Sequence, residues 1–401
     1  MARVAGRLTP VSRDPGRATF LELFFDLIFV FALTRISARA FEDLALEPGG
    51  ATGWTPVTGG AKTLLLLLAL WAVWQGTAWS TSRYDPYHSG LQVIVITALV
   101  CSMVMGVAIP RAFTATGLAF AVAYVVAQLT RPLTLLAVGT PERLLKIRTA
   151  ITYAVTGVLW IVGALLPTNP RVVLWSCALG VEYVAGRFGF PIPGLGRSMV
   201  SRWEIAGRHL AERYQQFFLI ALGETILVAG FSYSDSGYGA ARTATFALAM
   251  TITILLWRIY VQRAGQILAE AVAEARRPAS IGRSAADTHL VMVIGLAAIA
   301  IGYDLAIQHP MDRPENAWIA MIVGGPVLFL IGRARFEYEV FNRVSPSRWI
   351  AALVLAVSVP VVVHRPPLWS EALVAVVLGA VALADARRAR NGPPEAPAPP
   401  F

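Results

Sequence analysis

The chain has 401 residues, of which 56% are hydrophobic and only 14% are charged. Soluble domains carry about 25% charged residues, so this composition excludes an ordinary soluble protein and indicates a polytopic membrane protein. The net charge is +10, yet the basic residues are scattered singly through short polar segments rather than along a stripe. That distribution argues against nucleic acid as a partner and is typical of membrane topology and of contact with anionic lipid head groups.

The first apolar run, TFLELFFDLIFVFALTRIS at 19–37, is long enough to cross a bilayer, which takes about 20 helical residues. It nevertheless carries Glu22 and Asp26, four residues apart and therefore on one face of a helix, and Phe29 and Leu33 continue that face. Exposing a carboxylate to lipid is costly, so this face must look into protein, water or a cation. Two interpretations stay open: a polar pair that packs helices together, or a site that handles protons or cations.

Apolar runs recur along the whole chain. Twelve can be distinguished, at 19–41, 61–81, 90–109, 112–138, 146–166, 171–187, 213–231, 242–262, 286–307, 316–332, 348–363 and 368–386. Their lengths predict an all-α fold, a polytopic integral membrane protein with about 12 transmembrane helices. The weakest division separates the third run from the fourth, since only Pro110 and Arg111 lie between them.

The distribution of basic residues tests this count. If the N-terminus lies in the cytoplasm, the predicted cytoplasmic segments hold 24 arginines and lysines and the predicted outer segments hold 7. The positive-inside rule then favours twelve spans with both termini cytoplasmic, because one span fewer would invert every later loop and remove the asymmetry. Residues 1–18 are polar and contain arginines, without the apolar core of a cleavable signal peptide, so the first span is expected to direct insertion.

A long basic connection between the sixth and seventh runs, with FPIPGLG at 190–196, divides the chain into two sets of six. Two short matches support a repeat of the same orientation: FF at 24–25 returns at 217–218, and LWS at 174–176 returns at 368–370. The predicted organisation is a cytoplasmic N-terminal segment (1–18), a first six-helix half (19–187), a cytoplasmic central loop (188–212), a second six-helix half (213–386) and a disordered Pro-rich cytoplasmic tail (387–401).

The second half opens with HLAERYQQFFLIALGETILVAG at 209–230. On a helical wheel His209, Arg213 and Glu224 share a stripe, with Glu212 at its edge. His209 and Arg213 suit an interfacial first turn, but Glu224 lies roughly 15 Å beyond Arg213, near the middle of the bilayer. Glu224 is therefore the most informative residue of the chain. It is either the carrier of a proton or cation, or a protonated side chain that joins helices through a hydrogen bond to a backbone carbonyl.

Four further polar residues in or beside the apolar runs are secondary candidates: Glu182, Arg258, His88 and His289. Each also has an ordinary explanation, namely an ion pair of Glu182 with Arg187, contact of Arg258 with lipid head groups, and a hydrogen bond at a helix start for either histidine. On the predicted topology these four and all the earlier candidates except Glu224 fall in the cytoplasmic third of the membrane. We therefore predict a polar vestibule that opens to the cytoplasm and narrows toward Glu224.

The stretches ELFFDLIFVFALTRIS at 22–37 and HLAERYQQFFLIALGETI at 209–226 resemble the low temperature requirement A (LtrA) family of bacterial membrane proteins. The resemblance implies a multi-pass protein of the bacterial inner (plasma) membrane and supplies no mechanism. It carries over as motif positions Glu22, Phe24, Phe25, Asp26, His209, Glu212, Arg213, Gly223 and Glu224. The chain departs from the family pattern at Tyr214, where relatives often have histidine, which argues against a mechanism that needs an imidazole there.

Three classes of function stay open. We favour a proton- or cation-coupled transporter or channel, with Glu224 as carrier, Glu22 and Asp26 as a relay, and His209, Glu212 and Arg213 around them. An intramembrane enzyme acting on a lipid or isoprenoid would have to use acid/base chemistry by Asp26 or Glu224. The sequence has no Ser nucleophile elbow, zinc-ligand spacing or phosphate-binding Gly loop. A non-catalytic stress or stability factor is the third class.

We expect no cofactor and no bound metal. Cys101 and Cys177 lie singly in apolar runs, where the ordinary role is that of a small buried hydrophobic residue. The expected partners are membrane lipids and an unidentified small solute or ion, and nucleic acid is not expected. The sequence leaves the transported species and the oligomeric state open, and self-association is compatible with it.

Overall fold

The computed structural model describes residues 17–44, 54–198, 206–391 and 396–400. Within these ranges the regular structure is helical, without a β-strand, which confirms the all-α prediction. Three predicted segments lie partly outside these ranges: the N-terminal segment (1–18), the central loop (188–212) and the tail (387–401).

The described residues form fourteen α-helices. They are α1 (Phe20–Asp43), α2 (Thr55–Thr81), α3 (Ser89–Ala108), α4 (Gly117–Ala137), α5 (Arg143–Leu165), α6 (Thr168–Arg187), α7 (Gly207–Ser236), α8 (Ala240–Tyr260), α9 (Gln266–Glu274), α10 (Pro278–Gln308), α11 (Asn316–Ile322), α12 (Gly324–Phe341), α13 (Pro346–Val362) and α14 (Pro367–Asn391). A 3₁₀ turn at Ile109–Arg111 follows α3, and a π-helical turn at Val261–Gly265 joins α8 to α9.

All twelve predicted apolar runs coincide with helices in this part of the chain. Nine of the described helical segments are long and apolar enough to cross a membrane, with α11 and α12 counted as one segment. The runs at α1, α6 and α13 fall outside this group. Helix α1 has charged residues spread along its length, α6 begins with Thr-Asn-Pro-Arg, and α13 has 17 residues. A multi-helix membrane fold is therefore shown, whereas the count of twelve spans stays a prediction.

Several helices run beyond the apolar runs that predicted them. Helix α7 begins at Gly207 rather than near 213, α12 continues to Phe341 rather than ending near 332, and α14 continues past 386. A run defined by hydropathy ends at the first charged residue. The helix itself continues when polar groups satisfy that charge, as for the fully buried Arg333 of α12. The division predicted at Pro110 is present, because Pro110 lies in the 3₁₀ turn.

The described chain divides into two compact units. The first unit comprises the described parts of Met1–Ile36, Lys62–Arg213 and Arg277–Gly282, and the second those of Ser37–Ala61, Tyr214–Arg276 and Arg283–Phe401. Four of the five boundaries fall within helices, the fifth lies between α9 and α10, and none lies in the predicted central loop. The two repeated six-helix halves stay a prediction, and the LWS match that suggested them has unlike environments: Trp175 is buried, whereas Trp369 is exposed.

In the first unit α3, α4, α5 and α6 pack in chain order, each against the next. The contact between them is aromatic, because Trp160 lies between Tyr124 and Trp175, with ring centroids 4.4 and 5.0 Å away. Buried Arg171 donates hydrogen bonds to five main-chain carbonyls, three of them at the end of α5. This arginine satisfies groups that the end of a helix leaves unpaired.

Apolar side chains also cover outward faces. Phe20, Leu23 and Leu27 are exposed along α1, as lipid-facing residues are. Cys101 is buried, but Cys177 is exposed, so the expectation of two buried cysteines is wrong for Cys177. Composition does not distinguish an apolar residue that faces the protein core from one that faces the lipid.

In the second unit α8 packs against α14, and α12 and α14 each pack against α13. The π-helical turn frees main-chain carbonyls, which side chains then satisfy. Arg333 donates to the carbonyls of Ile259 and Gln262 at 2.9 and 3.0 Å, and Gln215 donates to the carbonyl of Gly265 at 2.6 Å. A buried arginine of α12 therefore holds the irregular end of α8.

Candidate functional site

The candidate site of the first unit begins at the start of α1. The N–H and the hydroxyl of Thr19 both donate to Glu22 Oε2, at 2.8 and 2.9 Å, and the N–H of Glu22 donates back to Thr19 Oγ1 at 3.3 Å. This is a capping box, T-x-x-E, which satisfies free donors at a helix start. The motif can be read in the sequence, and it gives Glu22 a structural role that the hydropathy argument missed.

One turn further along α1, Asp26 is bound by an arginine and a tryptophan. Arg213 of α7 donates to both carboxylate oxygens, at 2.6 and 2.7 Å, and Trp74 Nε1 of α2 donates to one of them at 2.9 Å. All three side chains are buried. A bidentate contact of this kind is the strongest geometry for an arginine and a carboxylate, so Asp26 and Arg213 form a buried ion pair.

His209 joins Glu22 to Ser82. Its Nε2 lies 3.2 Å from Glu22 Oε2, and its Nδ1 lies 2.9 Å from Ser82 Oγ. Two proton arrangements fit these distances. A neutral imidazole accepts from Ser82 at Nδ1 and donates to Glu22 from Nε2, whereas an imidazolium donates at both positions. The series can therefore exist with one proton more or fewer without a change in its heavy atoms.

We call these four residues the α1–α7 acid cluster (Glu22, Asp26, His209 and Arg213). The charges of the cluster are close to balance. The two carboxylates supply two negative charges, and Arg213 supplies one positive charge. An uncompensated buried charge is costly, so the cluster reaches neutrality when one proton resides on His209 or Glu22. Arg213 Nε and Glu22 Oε1 face each other at 3.7 Å without a hydrogen bond. Charge balance therefore favours one additional proton within the cluster.

The prediction that the acidic face of α1 looks into the protein is confirmed. Glu22 and Asp26 are each about 1% exposed, and Phe29 and Leu33 on the same face are buried as well. Glu212 lies at the edge of the cluster, where the N–H of Ala18 donates to its Oε2 at 3.2 Å. The structure thus brings together five of the six residues predicted for the relay.

Glu224 belongs to the second unit and has different surroundings. Ser37 Oγ donates to its Oε1 at 2.7 Å, and the side chain is 1% exposed. Among the described residues of this unit, no basic side chain lies within ion-pair distance of Glu224. Its hydrogen-bond partner is a hydroxyl that donates to it, not the backbone carbonyl of the structural interpretation. Glu224 is therefore a buried carboxyl without a counter-charge.

Two secondary candidates of the first unit have partners of their own. Glu182 accepts hydrogen bonds from the Tyr124 hydroxyl and from Trp160 Nε1, the latter at 3.2 Å. His88 lies at the start of α3, and its Nδ1 accepts the N–H of Gly90 at 3.0 Å. His88 is therefore a helix cap, and Glu182 is an acceptor in the aromatic core.

The other two secondary candidates belong to the second unit. His289 is buried, with Nδ1 placed 2.7 Å from the Ala285 carbonyl and Nε2 placed 2.9 Å from the Tyr260 hydroxyl. The neutral imidazole, a donor at Nδ1 and an acceptor at Nε2, satisfies both contacts. Tyr214 stacks on this ring with centroids 5.0 Å apart. Arg258 is exposed at the end of α8, where contact with head groups was the ordinary explanation.

Sequence reasoning missed several buried acids of the second unit, namely Glu337, Glu339, Glu371 and Asp385. Arg348 donates to both oxygens of Asp385, at 3.0 and 2.7 Å, and the hydroxyls of Ser284 and Thr288 donate to Glu339. The hydropathy argument assigned Glu337 and Glu339 to a connecting loop. Glu371 and Asp385 lay within the last apolar run, so a search for acids in that run would have found them. The single polar vestibule stays a prediction.

A further polar group lies at two connections of the first unit. Lys146 Nζ donates to the Tyr84 oxygen at 2.7 Å, and Arg83 pairs with Glu142 at 2.7 Å. Burial raises the pKa of the Tyr84 phenol, which lies between α2 and α3. These contacts tie the α2–α3 connection to the start of α5. Among the described residues, no three His, Cys, Asp or Glu side chains are grouped so as to hold a metal ion.

Comparison with known proteins extends the resemblance to most of the chain. The family model described as "Bacterial low temperature requirement A protein (LtrA)" matches residues 17–383. A protein of Rhizobium meliloti (strain 1021), described as uncharacterised, is 32% identical over 376 residues, which cover 92% of this chain and 89% of that protein. No solved structure matches the chain.

Proposed function

The chain belongs to the bacterial low temperature requirement A family of membrane proteins, and on this premise we propose that it is a proton- or cation-coupled transporter or channel. The proposal places it in the bacterial inner membrane with twelve spans and both termini in the cytoplasm. The asymmetry of 24 against 7 basic residues supports that topology.

The observation that carries the proposal is the state of Glu224. It lies within α7, a helix long and apolar enough to cross a membrane, and it is buried with one hydroxyl partner and no counter-charge among the described residues of its unit. An acid that only joined helices would be expected to have a charged partner or several donors. A carboxyl with a single hydroxyl partner can instead bind and release a proton or a cation, which is the usual role of an intramembrane acid.

The α1–α7 acid cluster supports the same function from the first unit. Its two carboxylates, one guanidinium and one imidazole reach charge balance with one proton that His209 and Glu22 can share. Asp26 is fixed by Arg213, so within the cluster we assign the exchangeable proton to the Glu22–His209 pair. This assignment changes the predicted proton relay: it keeps Glu22 and replaces Asp26 with His209.

Flux measurements on purified protein test the proposal. The full chain is reconstituted into liposomes that enclose a pH-sensitive dye, and a potassium gradient with valinomycin imposes a membrane potential. We expect proton uptake above that of protein-free liposomes. Glu224→Gln should reduce uptake to the protein-free level, and Glu224→Asp should retain part of it with a shifted pH profile, because one methylene changes the reach of the carboxyl.

Glu42→Gln is the matched control, because Glu42 is an exposed acid on α1 and its loss removes the same charge. This variant should transport as the wild type does. If Glu224→Gln keeps the wild-type flux, Glu224 has a packing role and leaves the mechanism. If wild-type protein moves neither protons, sodium nor potassium, the transport proposal is wrong.

An intramembrane enzyme is the second candidate, and one observation favours it. Ser82, His209 and Glu22 form a hydrogen-bonded series in the order of nucleophile, base and acid. Two features oppose it. Ser82 contacts Nδ1 and Glu22 contacts Nε2, the reverse of the nitrogens used in the serine-protease triad, and all three side chains are buried, so no nucleophile is exposed to a substrate.

A fluorophosphonate probe distinguishes this candidate from transport. We expect no covalent labelling of Ser82 in the reconstituted protein, and no difference between wild type and Ser82→Ala. Ser80→Ala, two residues earlier in the chain and also buried, is the control for nonspecific labelling. Labelling that disappears only in Ser82→Ala would support the enzyme. A protein without flux and without labelling would leave the third class, a stability factor.

A further inference from the structure

Glu371 is a buried acid that the proposed mechanism does not use. It lies in the first turns of α14, in the second unit, and is 2% exposed. Among the described residues it has neither a hydrogen-bond partner nor an ion-pair partner. The preceding residue, Ser370, is also buried, and among the described residues its Oγ has no hydrogen-bond partner. Buried polar atoms are normally satisfied, so two adjacent exceptions need an explanation.

A line of hydroxyl groups runs from the surroundings of Glu371 to α7. The Glu371 carboxyl interacts electrostatically with the phenol of Tyr303 on α10. The Tyr303 hydroxyl lies 3.1 Å from Thr253 Oγ1 on α8, and Thr253 Oγ1 lies 3.4 Å from Thr225 Oγ1 on α7. Thr225 follows Glu224 in the chain. Three helices thus contribute one buried hydroxyl each, but Thr253 and Thr225 share no proton, because each donates to a main-chain carbonyl.

The direction of these hydrogen bonds leaves an acceptor free at the Glu371 end. Thr253 and Thr225 donate to the carbonyls of Ala249 and Leu222, at 2.9 and 2.7 Å. The proton between Tyr303 and Thr253 therefore comes from Tyr303, whose oxygen keeps its lone pairs. A protonated Glu371 carboxyl can donate a hydrogen bond to such an oxygen.

The helices packed against α14 bring no counter-charge to Glu371. They are α8, α11 and α13. Helix α11 has no ionisable residue, Arg348 of α13 pairs with Asp385 near the other end of α14, and on α8 the ionisable residues are Arg242, Arg258 and Tyr260, near its ends. His364 and Arg365, just before α14, are exposed. From α10 the interacting group is Tyr303, which is neutral.

We propose that Glu371 is a second proton-binding carboxyl of this protein, and that the Tyr303 hydroxyl, which is hydrogen-bonded to Thr253, is its neighbouring acceptor. The ligand is a proton rather than a metal ion. Sodium needs about five or six oxygen ligands by analogy with other hard cations, and Glu371, Ser370 and Tyr303 offer fewer. A buried carboxyl without a counter-charge is accommodated in its neutral, protonated form.

Carbodiimide labelling tests the site without a transport assay. Dicyclohexylcarbodiimide adds to protonated carboxyls in apolar surroundings; the carboxyl proton passes to a nitrogen of the reagent, and the product is a stable N-acylurea. The full chain in lipid nanodiscs is treated at a series of pH values, digested and analysed by mass spectrometry. We expect modification of Glu371 at neutral pH that falls severalfold at alkaline pH.

Asp385 is a control on the same helix, because it is equally buried but paired with Arg348. It should stay unmodified, and Glu371→Gln should lose the modification of its own peptide alone. Equal labelling of Asp385 would show a nonspecific reaction and overturn the assignment. Protection of Glu371 by sodium at constant pH would also overturn it, in favour of a sodium site.

Infrared difference spectra cover the case in which the reagent does not reach Glu371. The carbonyl band of a protonated carboxyl should be lost in Glu371→Gln, and an unchanged spectrum together with absent labelling overturns the proposal. Tyr303→Phe should retain the band but shift its frequency, because the hydroxyl beside the carboxyl is lost. An unchanged frequency would remove Tyr303 from the proposal. Neither result depends on flux through Glu224.

Discussion

At the scale of single residues, Asp26 and Glu224 are both buried acids but differ in their partners, which suits Asp26 to stabilising the fold and Glu224 to binding a proton or cation. Asp26 has a guanidinium and an indole around it, whereas Glu224 has one serine hydroxyl. A buried ion pair contributes little net stability over an apolar pair, but the removal of one partner leaves an uncompensated buried charge. The same type of substitution should therefore act mainly on folding at Asp26 and mainly on function at Glu224.

We expect Asp26→Asn to lower the free energy of unfolding by about 3 to 5 kcal/mol, because Arg213 then loses its counter-charge. Unfolding of the purified protein in mixed micelles, followed by tryptophan fluorescence, measures this loss. Phe20→Leu, an exposed apolar position on the same helix, should stay within about 0.5 kcal/mol of wild type.

The double variant Asp26→Leu with Arg213→Met should recover much of the loss, since no unpaired charge stays buried. A variant Asp26→Asn as stable as wild type would show that the ion pair does not hold α1 to α7.

The residue environments were only partly predictable. The spacing of Glu22 and Asp26 predicted that their face looks inward, because the cost of exposing a carboxylate to lipid is local information. Their partners were not predictable, since Trp74, Ser82 and Arg213 meet them only through the packing of separate helices.

At the scale of elements, the irregular join of α8 to α9 depends on one side chain. The π-helical turn frees carbonyls, and buried Arg333 satisfies two of them. The sequence assigned Arg333 to a cytoplasmic loop on the strength of its charge. An arginine deep in a helix was not readable from hydropathy, because its carbonyl partners lie more than 70 residues away in the chain.

Arg333→Leu should lower the free energy of unfolding by about 1 to 3 kcal/mol for each carbonyl left unpaired, a loss that denaturation in mixed micelles can measure. Arg333→Lys should lose less, since an ammonium can still donate to one carbonyl. Arg387→Leu removes the same charge from an exposed position on α14 and is the matched control, with an expected loss below about 1 kcal/mol. An equal effect of Arg333→Leu and Arg387→Leu would contradict the role of Arg333.

Helix ends show why element boundaries were the least predictable part of the fold. The existence of the helices followed from apolar runs, but α7 and α12 each extend several residues into charged sequence. In both cases buried partners satisfy the polar side chains, Glu22 and Ser82 for His209 and main-chain carbonyls for Arg333. The capping box at Thr19 and Glu22 is the opposite case, since four residues of local sequence specify that boundary.

At the scale of the whole molecule, composition predicted the class of protein, and contacts distant in sequence decided its organisation. A charged fraction of 14% and repeated apolar runs led to a multi-helix membrane fold. The two compact units could not be predicted, because four of their five boundaries cut through helices that hydropathy treats as single elements. Glu22 belongs to one unit and Glu224 to the other, although sequence motifs had joined them in one site.

Membrane topology is the property of the whole chain that an experiment can settle most directly. Ser198 follows α6, and the exposed Met311 lies between α10 and α11. Three described helices between these positions, α7, α8 and α10, are long and apolar enough to cross a membrane, and the short α9 is not among them. An odd number of spans would place Ser198 and Met311 on opposite sides, and the basic residues near Ser198 predict a cytoplasmic position for it.

In a background with Cys101→Ala and Cys177→Ala, we expect an impermeant maleimide to label Met311→Cys on intact cells. Ser198→Cys should react only after the membrane is permeabilised. Labelling of both positions from outside would mean an even number of spans between them, so that α9 or another segment enters the membrane. Labelling of Ser198 alone would invert the orientation and place both termini outside. Either result would contradict the topology on which the cytoplasmic vestibule depends.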